Sequence, residues 1–195
     1  MIWGDLPESG RSKAGTVGRP DEGIVVIVDG DGRRLSAGEE GEILLGGPTV
    51  SPGYVNAPEL NRKTFVDGWY RTGDIGSLDE DGFLTLRGRL KDVISRGAEK
   101  VHPLEVEETL RDHPQVLDVA VFGVPHERLG EDVAAAVVLR PGASLKAADL
   151  RKFLGTRLAW SKIPRQIVFV AELPKGAGGK VLRRVLQEMI GEQAV

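Results

Sequence analysis

The chain has 195 residues, with 26 Lys and Arg against 29 Asp and Glu, for a formal net charge of −3. That balance argues against a protein that binds nucleic acid by flooding phosphates with positive charge, and 41% apolar with 28% charged residues excludes a disordered acidic tail. The absence of cysteine excludes a disulfide framework, thiolate metal sites and a cysteine nucleophile. The length suits one large domain or two small ones. Met1–Gly10 has neither a basic start nor an apolar core, so no secretory leader is expected. No apolar run reaches the ~18 residues of a membrane span, and a cytoplasmic location is expected.

Glycine is over-represented, 26 of 195 against the usual ~7%, and most of it falls before residue 100. It sits between short apolar runs, as in β-structure with tight turns. Ile24–Val28 reads as a strand followed by the turn Asp29-Gly30-Asp31-Gly32, and Glu42–Leu45 as a second strand. Pro58–Val66 is expected to be one amphipathic helix, with Leu60 and Phe65 on its apolar side. Trp69–Asp74 leads into a strand at Ile75–Leu78, and the turn Asp79-Glu80-Asp81-Gly82 returns it along Phe83–Leu86.

After Gly88 the texture changes. Pro103–Leu110 is a helix with Pro at its first position, where a missing N–H costs nothing. Val116–Val124 and Val133–Leu139 are strand-like, Ala147–Leu158 helical, and Ile167–Val170 a strand. Val181–Ile190 closes the chain as a helix with Leu182, Val185, Leu186 and Met189 on one stripe. The expected class is α+β: a β-rich part over residues 1–88, a hinge at 89–91, and a compact α+β domain over 92–195 with a hairpin and a small mixed sheet flanked by helices.

Several motifs fail. Gly178-Gly179-Lys180 is not a phosphate loop, because that pattern needs Gly six residues before the Lys and Ser or Thr after it, where Pro174 and Val181 stand. The two Asp-rich turns are too short for a calcium loop, and His102, His113 and His126 are too scattered for a zinc site. What remains is a set of polar residues beside glycines. Thr72-Gly73-Asp74 is either a plain turn or a carboxylate able to accept two ribose hydroxyls, with glycine letting the ligand approach. Arg89 is a surface cation or a hydroxyl donor. Lys180 is a solvated lysine, or a charge that its mobile loop swings beside a developing phosphate charge.

Taken together, four segments resemble the adenylate-forming superfamily, and within it the acyl-CoA synthetases acting on fatty or aromatic acids. They are Gly68-Trp69-Tyr70-Arg71-Thr72-Gly73-Asp74, Gly88-Arg89-Leu90-Lys91-Asp92, Ile94-Ser95-Arg96-Gly97-Ala98-Glu99-Lys100-Val101-His102-Pro103-Leu104-Glu105-Val106-Glu107, and Pro174-Lys175-Gly176-Ala177-Gly178-Gly179-Lys180. The resemblance implies a barrel-like remnant of a large N-terminal domain over residues 1–88, then the mobile C-terminal domain. It implies an ATP-dependent ligase in which a carboxylate attacks the α-phosphorus to give an acyl-adenylate and pyrophosphate, and CoA then displaces AMP. Asp74 would hold the ribose, with Arg89 assisting and Thr72 backing it. Lys180 would neutralise charge in the first step, and Lys91 would be the hinge. Gly97 and Ala98 would lie on the CoA side, although relatives often carry Gly and Asn where Ala98 and Lys100 stand.

The ATP phosphate loop and acyl pocket of such enzymes lie upstream of these segments, and magnesium would be held mainly there. The chain is therefore expected to be a portion of a longer or split enzyme, inactive alone. Two other readings are an adenylation module loading a carrier protein and a non-catalytic interaction domain. An exposed apolar face on the β-rich part would favour self-association or a partner chain.

Overall fold

The computed structural model describes residues 13–48 and 50–193, the last three by their backbone only, so the leader question at Met1–Gly10 lies outside the described residues. The chain divides into two units, Met1–Lys91 and Asp92–Val195.

In the first unit, Asp residues shape the turns. Asp29 Oδ1 accepts the N–H groups of Asp31 and Arg33, both at 2.9 Å, and reverses the chain after β1 (Val25–Val28). Asp79 Oδ1 accepts those of Asp81 at 3.0 Å and Phe83 at 2.8 Å, joining β4 (Trp69–Leu78) to β5 (Leu84–Arg89). Strand β2 (Gly41–Leu45) lies between β1 and β4, and all pairings are antiparallel. The path runs β1-β2-β4 and on to the short β3 (Phe65–Val66), with β5 also on β4, so the described strands form an open sheet and not a closed barrel. Val25, Ile27, Ile43 and Leu84 make its core.

The expected helix over 58–66 is shorter. Helix α1 is Pro58–Thr64, and β3 (Phe65–Val66) pairs back on β4 through Phe65↔Tyr70 and Val66↔Trp69. Asp67 and Gly68, at φ 51° and 80°, form the tight turn between them. Asp-Gly is a strong local signal for such a hairpin, and it overrides the helical spacing of Leu60 and Phe65.

In the second unit, β6 (Ile94–Arg96) and β7 (Glu99–Val101) form a hairpin leading into α2 (Pro103–Arg111). Strands β8 (Val116–His126) and β9 (Gly130–Leu139) form a long antiparallel pair, and β10 (Gln166–Phe169) adds to β9 in parallel. The mixed sheet runs β10-β9-β6-β7, with β8 on β9. Alternation assigns the faces. Val119, Val121, Val133, Ala135 and Val137 meet Val106 and Leu110 of α2 and Leu150 and Leu154 of α3 (Ala147–Gly155). Ala120, Phe122, Ala134 and Ala136 meet Leu186 and Ile190 of α4 (Arg183–Gln193) on the other face. Both faces being covered explains why these strands read as unbroken apolar runs.

Two details differ from the sequence pattern. Helix α3 stops at Gly155, short of Leu158. In α4 the buried stripe is Leu186 and Ile190, while Leu182 and Met189 are 43% and 38% exposed. The helix begins at Arg183, two residues later than expected, so Leu182 lies outside it.

Replacing Leu154, fully buried between α3 and the sheet, by Ala should cost about 2–5 kcal/mol in urea unfolding. Met189→Ala, at the exposed edge of α4, should cost less than about 1 kcal/mol.

Candidate functional site

Strands β2 and β4 pair regularly at Glu42↔Ile75 and again at Leu44↔Arg71. Between these points β2 supplies Ile43 alone, while β4 supplies Thr72, Gly73 and Asp74. The surplus leaves the ladder as a bulge. Gly73 sits at φ 70°, and an added Cβ would meet nothing within 4 Å, so its requirement is one of backbone and not of space. Thr72 Oγ1 stitches the bulge: it donates to the Ile43 carbonyl at 2.7 Å and accepts the Asp74 N–H at 2.9 Å.

A buried carboxylate braces the same turn. Glu42 accepts the Gly73 N–H on Oε1 at 3.3 Å and Arg71 Nε on Oε2 at 3.0 Å, with Arg71 Nη2 also bonded. The Glu42 hydrogen bond, opposed by partial burial, raises the Arg71 guanidinium further above its ordinary value. A buried charge is tolerated only when paired and hydrogen-bonded. Glu42 meets that condition, but in sequence it is one acidic residue beside an apolar run, which carries no signal of it.

The bulge sets Asp74 opposite Arg89 in the β4–β5 register, with Arg89 Nε 3.1 Å from Asp74 Oδ1. Exposed ion pairs of this kind are worth ~0–1 kcal/mol, so a ligand hydroxyl can compete for the carboxylate. Leu90–Asp92 continues as a 3-10 turn, and Thr72, Gly73, Arg89, Leu90 and Lys91 line an open cavity of about 400 Å³. Thr72, Asp74, Arg89 and Lys91 are thus brought together within the first unit. Beside them, the Tyr70 phenol is held above its usual value, first by its hydrogen bond with Tyr54, then by burial and the Asp74 charge. Tyr54, Phe65 and Tyr70 form an aromatic cluster, with centroid separations of 5.9 and 5.3 Å.

The remaining expected residues lie on the second unit. Gly97, at φ 63°, and the exposed Ala98 form the β6–β7 turn. Gly97 N–H donates to the Leu129 carbonyl at 2.8 Å, and Ser95 N–H to Glu131 Oε2 at 2.8 Å. Arg96 Nε meets buried Asp132 Oδ1 at 2.6 Å, and its guanidinium lies 4.5 Å from the Trp160 ring centroid. These contacts fix the turn against the β8–β9 end and leave Gly97 and Ala98 exposed.

The glycine loop is closed on itself. Gly176 N–H donates to the Lys180 carbonyl at 2.9 Å, Gly179 N–H to Gly176 at 2.9 Å, and Leu182 N–H to Pro174 at 2.8 Å. Its two lysines differ. Lys175 Nζ pairs with Asp118 Oδ2 at 3.2 Å, whereas Lys180 is exposed with no ion-pair partner among the described residues. Among the same residues no group of three His, Asp or Glu is gathered to hold a metal ion, and no helix is long and apolar enough to cross a membrane.

Residues 105–180 match the AMP-binding enzyme C-terminal domain. Over 96% of its length the chain is 41% identical to a probable CoA ligase, CCL9, of Humulus lupulus, and covers 36% of that protein. It is 41% identical to the fatty acid–[acyl-carrier-protein] ligase ScoC of Streptomyces coeruleorubidus, over 92% of this chain and 35% of that one. Among solved structures, the o-succinylbenzoate CoA synthetase of Bacillus subtilis in complex with its acyl-adenylate intermediate superposes with a TM-score of 0.85 at 36% identity, covering 93% of this chain and 37% of that one. The chain therefore spans little more than a third of the length of these relatives.

Gly73→Ala should cost about 1–2 kcal/mol in unfolding of the first unit, from left-handed backbone strain alone. The chain has two tyrosines, so in Tyr54→Phe the single phenolate transition belongs to Tyr70. Loss of the Tyr54 hydrogen bond should lower that midpoint toward 10.0 in an ultraviolet pH titration. Tyr70's raised value stabilises the folded unit below pH ~10, and that contribution is lost as pH rises through the folded midpoint.

Proposed function

The chain belongs to the adenylate-forming superfamily, and on that premise we propose that it is the C-terminal portion of an ATP-dependent acyl-CoA synthetase. The observation that carries the reading is Lys180: an exposed ammonium, without an ion-pair partner among the described residues, at the end of a hydrogen-bonded glycine loop whose other lysine, Lys175, is tied down to Asp118. In the first step a substrate carboxylate oxygen bonds to the α-phosphorus of ATP, the bond to the β-phosphate oxygen breaks, and pyrophosphate leaves. Negative charge gathers between the carboxylate and α-phosphate oxygens, and a mobile ammonium brought there stabilises it. Asp74 accepts the ribose hydroxyls, and Arg89 and Thr72 fix its carboxylate and backbone. In the second step the CoA thiol adds to the acyl carbonyl and AMP departs. Gly97 and Ala98 line the approach of the thiol arm, and Lys91 is the pivot that exchanges the two loops. This chain's own residues are assigned no part in holding magnesium.

In the same reading the first unit is the last β-rich part of a larger adenylation domain. The exposure of Tyr54, Val55, Leu60 and Val66 supports this, as an apolar surface that the rest of such an enzyme would cover. A second reading, favoured by the carrier-protein ligase among the relatives, replaces CoA by a pantetheinylated carrier. Swapping the two acceptors in the thioester assay separates these readings.

In the full-length enzyme carrying this chain, Lys180→Ala should lower acid-dependent pyrophosphate–ATP exchange by about 10²–10³-fold, equivalent to ~3–4 kcal/mol. Thioester formation from a preformed adenylate should change less than about twofold. Equal loss of both half-reactions would overturn this division of roles.

A further inference from the structure

Arg183, the first residue of α4, lies three residues beyond Lys180 and directs its guanidinium back into the second unit. Nε donates to the Val121 carbonyl at 3.2 Å, Nη1 to Asp92 Oδ2 at 3.3 Å, and Nη2 to Glu107 Oε1 at 3.0 Å. Glu107 is buried and otherwise satisfied, by the Val121 N–H at 2.9 Å and Arg111 Nη2 at 3.2 Å. One planar fork therefore bonds a strand, a helix and Asp92, the first residue after Lys91. A lysine, with its donors on one nitrogen, cannot span three such acceptors.

We infer that Arg183 is a positioning residue for Lys180, acting as a strut between the start of the second unit and the glycine loop. The proposal rests on Lys180 being the adenylation lysine. The loop's two arms are anchored separately: Lys175 by Asp118, and the Lys180 arm by Arg183 through the short run Val181-Leu182. At about 3.3 Å per residue, Lys180 lies no more than ~10 Å of chain from this anchor. Its backbone is thus held while its side chain stays free. Asp92 carries the link to the hinge residue, so the lysine's placement is referred to the point about which the unit would turn. A misplacement of about 1 Å at a reacting centre can cost 10²-fold in rate. This strut serves the first half-reaction and leaves the Gly97 turn, which has its own anchors at Leu129, Glu131 and Asp132, unaffected.

The test uses the full-length enzyme with Arg183→Lys and Asp92→Asn. Pyrophosphate–ATP exchange at saturating ATP and acid should fall about tenfold or more in Arg183→Lys and about threefold in Asp92→Asn, with KM for ATP changed less than about twofold. Thioester formation from a preformed adenylate should stay within about twofold of the parent. If Arg183→Lys fails to fold by thermal melting, Asp92→Asn decides alone, since it leaves Glu107 paired with both arginines. Equal loss of the two half-reactions, or unchanged exchange in Asp92→Asn, overturns the strut. Lys180→Ala, run alongside, separates the two levels. If it spares exchange, the functional reading fails and the strut with it; if it abolishes exchange while the other variants miss the expected split, the strut alone fails.

Discussion

Three residues of β4 facing one residue of β2 is the mismatch on which the candidate site depends. Beyond the bulge Ile75 is buried, and the pairing with β5 shifts register a second time between Ile75 and Gly76. The bulge in turn rests on Gly73 at positive φ, on the two hydrogen bonds of Thr72, and on the buried Glu42 carboxylate held by Arg71. Asp74 and Arg89 meet as a consequence of that backbone geometry, which sets them opposite each other across β4 and β5.

The second unit uses a different device. Its two central strands are covered on both faces, and three successive fully buried alanines, Ala134–Ala136, leave little volume between the sheet and its helices. On this frame two exposed turns carry the residues of interest, each tied down by ions set behind it: Arg96 with Asp132 behind Gly97 and Ala98, and Arg183 with Glu107 and Asp92 behind the Lys180 loop. Rigid scaffold and exposed loop is the usual division between stability and chemistry. Buried pairs of this sort add little net stability but lose much when one partner is removed, which is consistent with a role in placement.

The polar turns were legible in the sequence because their chemistry is local. Asp29 and Asp79 bond backbone groups two and four residues ahead, and those partners are fixed by the residue types alone. The apolar runs gave the α+β class and the strand positions for a similar reason, since periodicity of two or 3.6 is a property of a single segment. The Asp67-Gly68 turn is equally local, and it overrides the helical spacing of Leu60 and Phe65, so the helix ends at Thr64.

The site divides along the same line. Thr72, Asp74, Arg89 and Lys180 stand out from the chain as polar residues beside glycines, whereas Lys91, Gly97 and Ala98 are legible only through the family resemblance; Thr72, Arg89 and Lys91 line one cavity, with Asp74 paired to Arg89. Sequence determined the residue types and turns. Only tertiary structure decided that Glu42 is a buried brace, that Arg183 reaches Asp92 and Glu107, and that Lys175 is tied to Asp118 while Lys180 has no ion-pair partner among the described residues. These pairings join groups separated by 29 to 91 positions along the chain, and an ion pair at that distance leaves no periodicity or spacing in either segment to announce it.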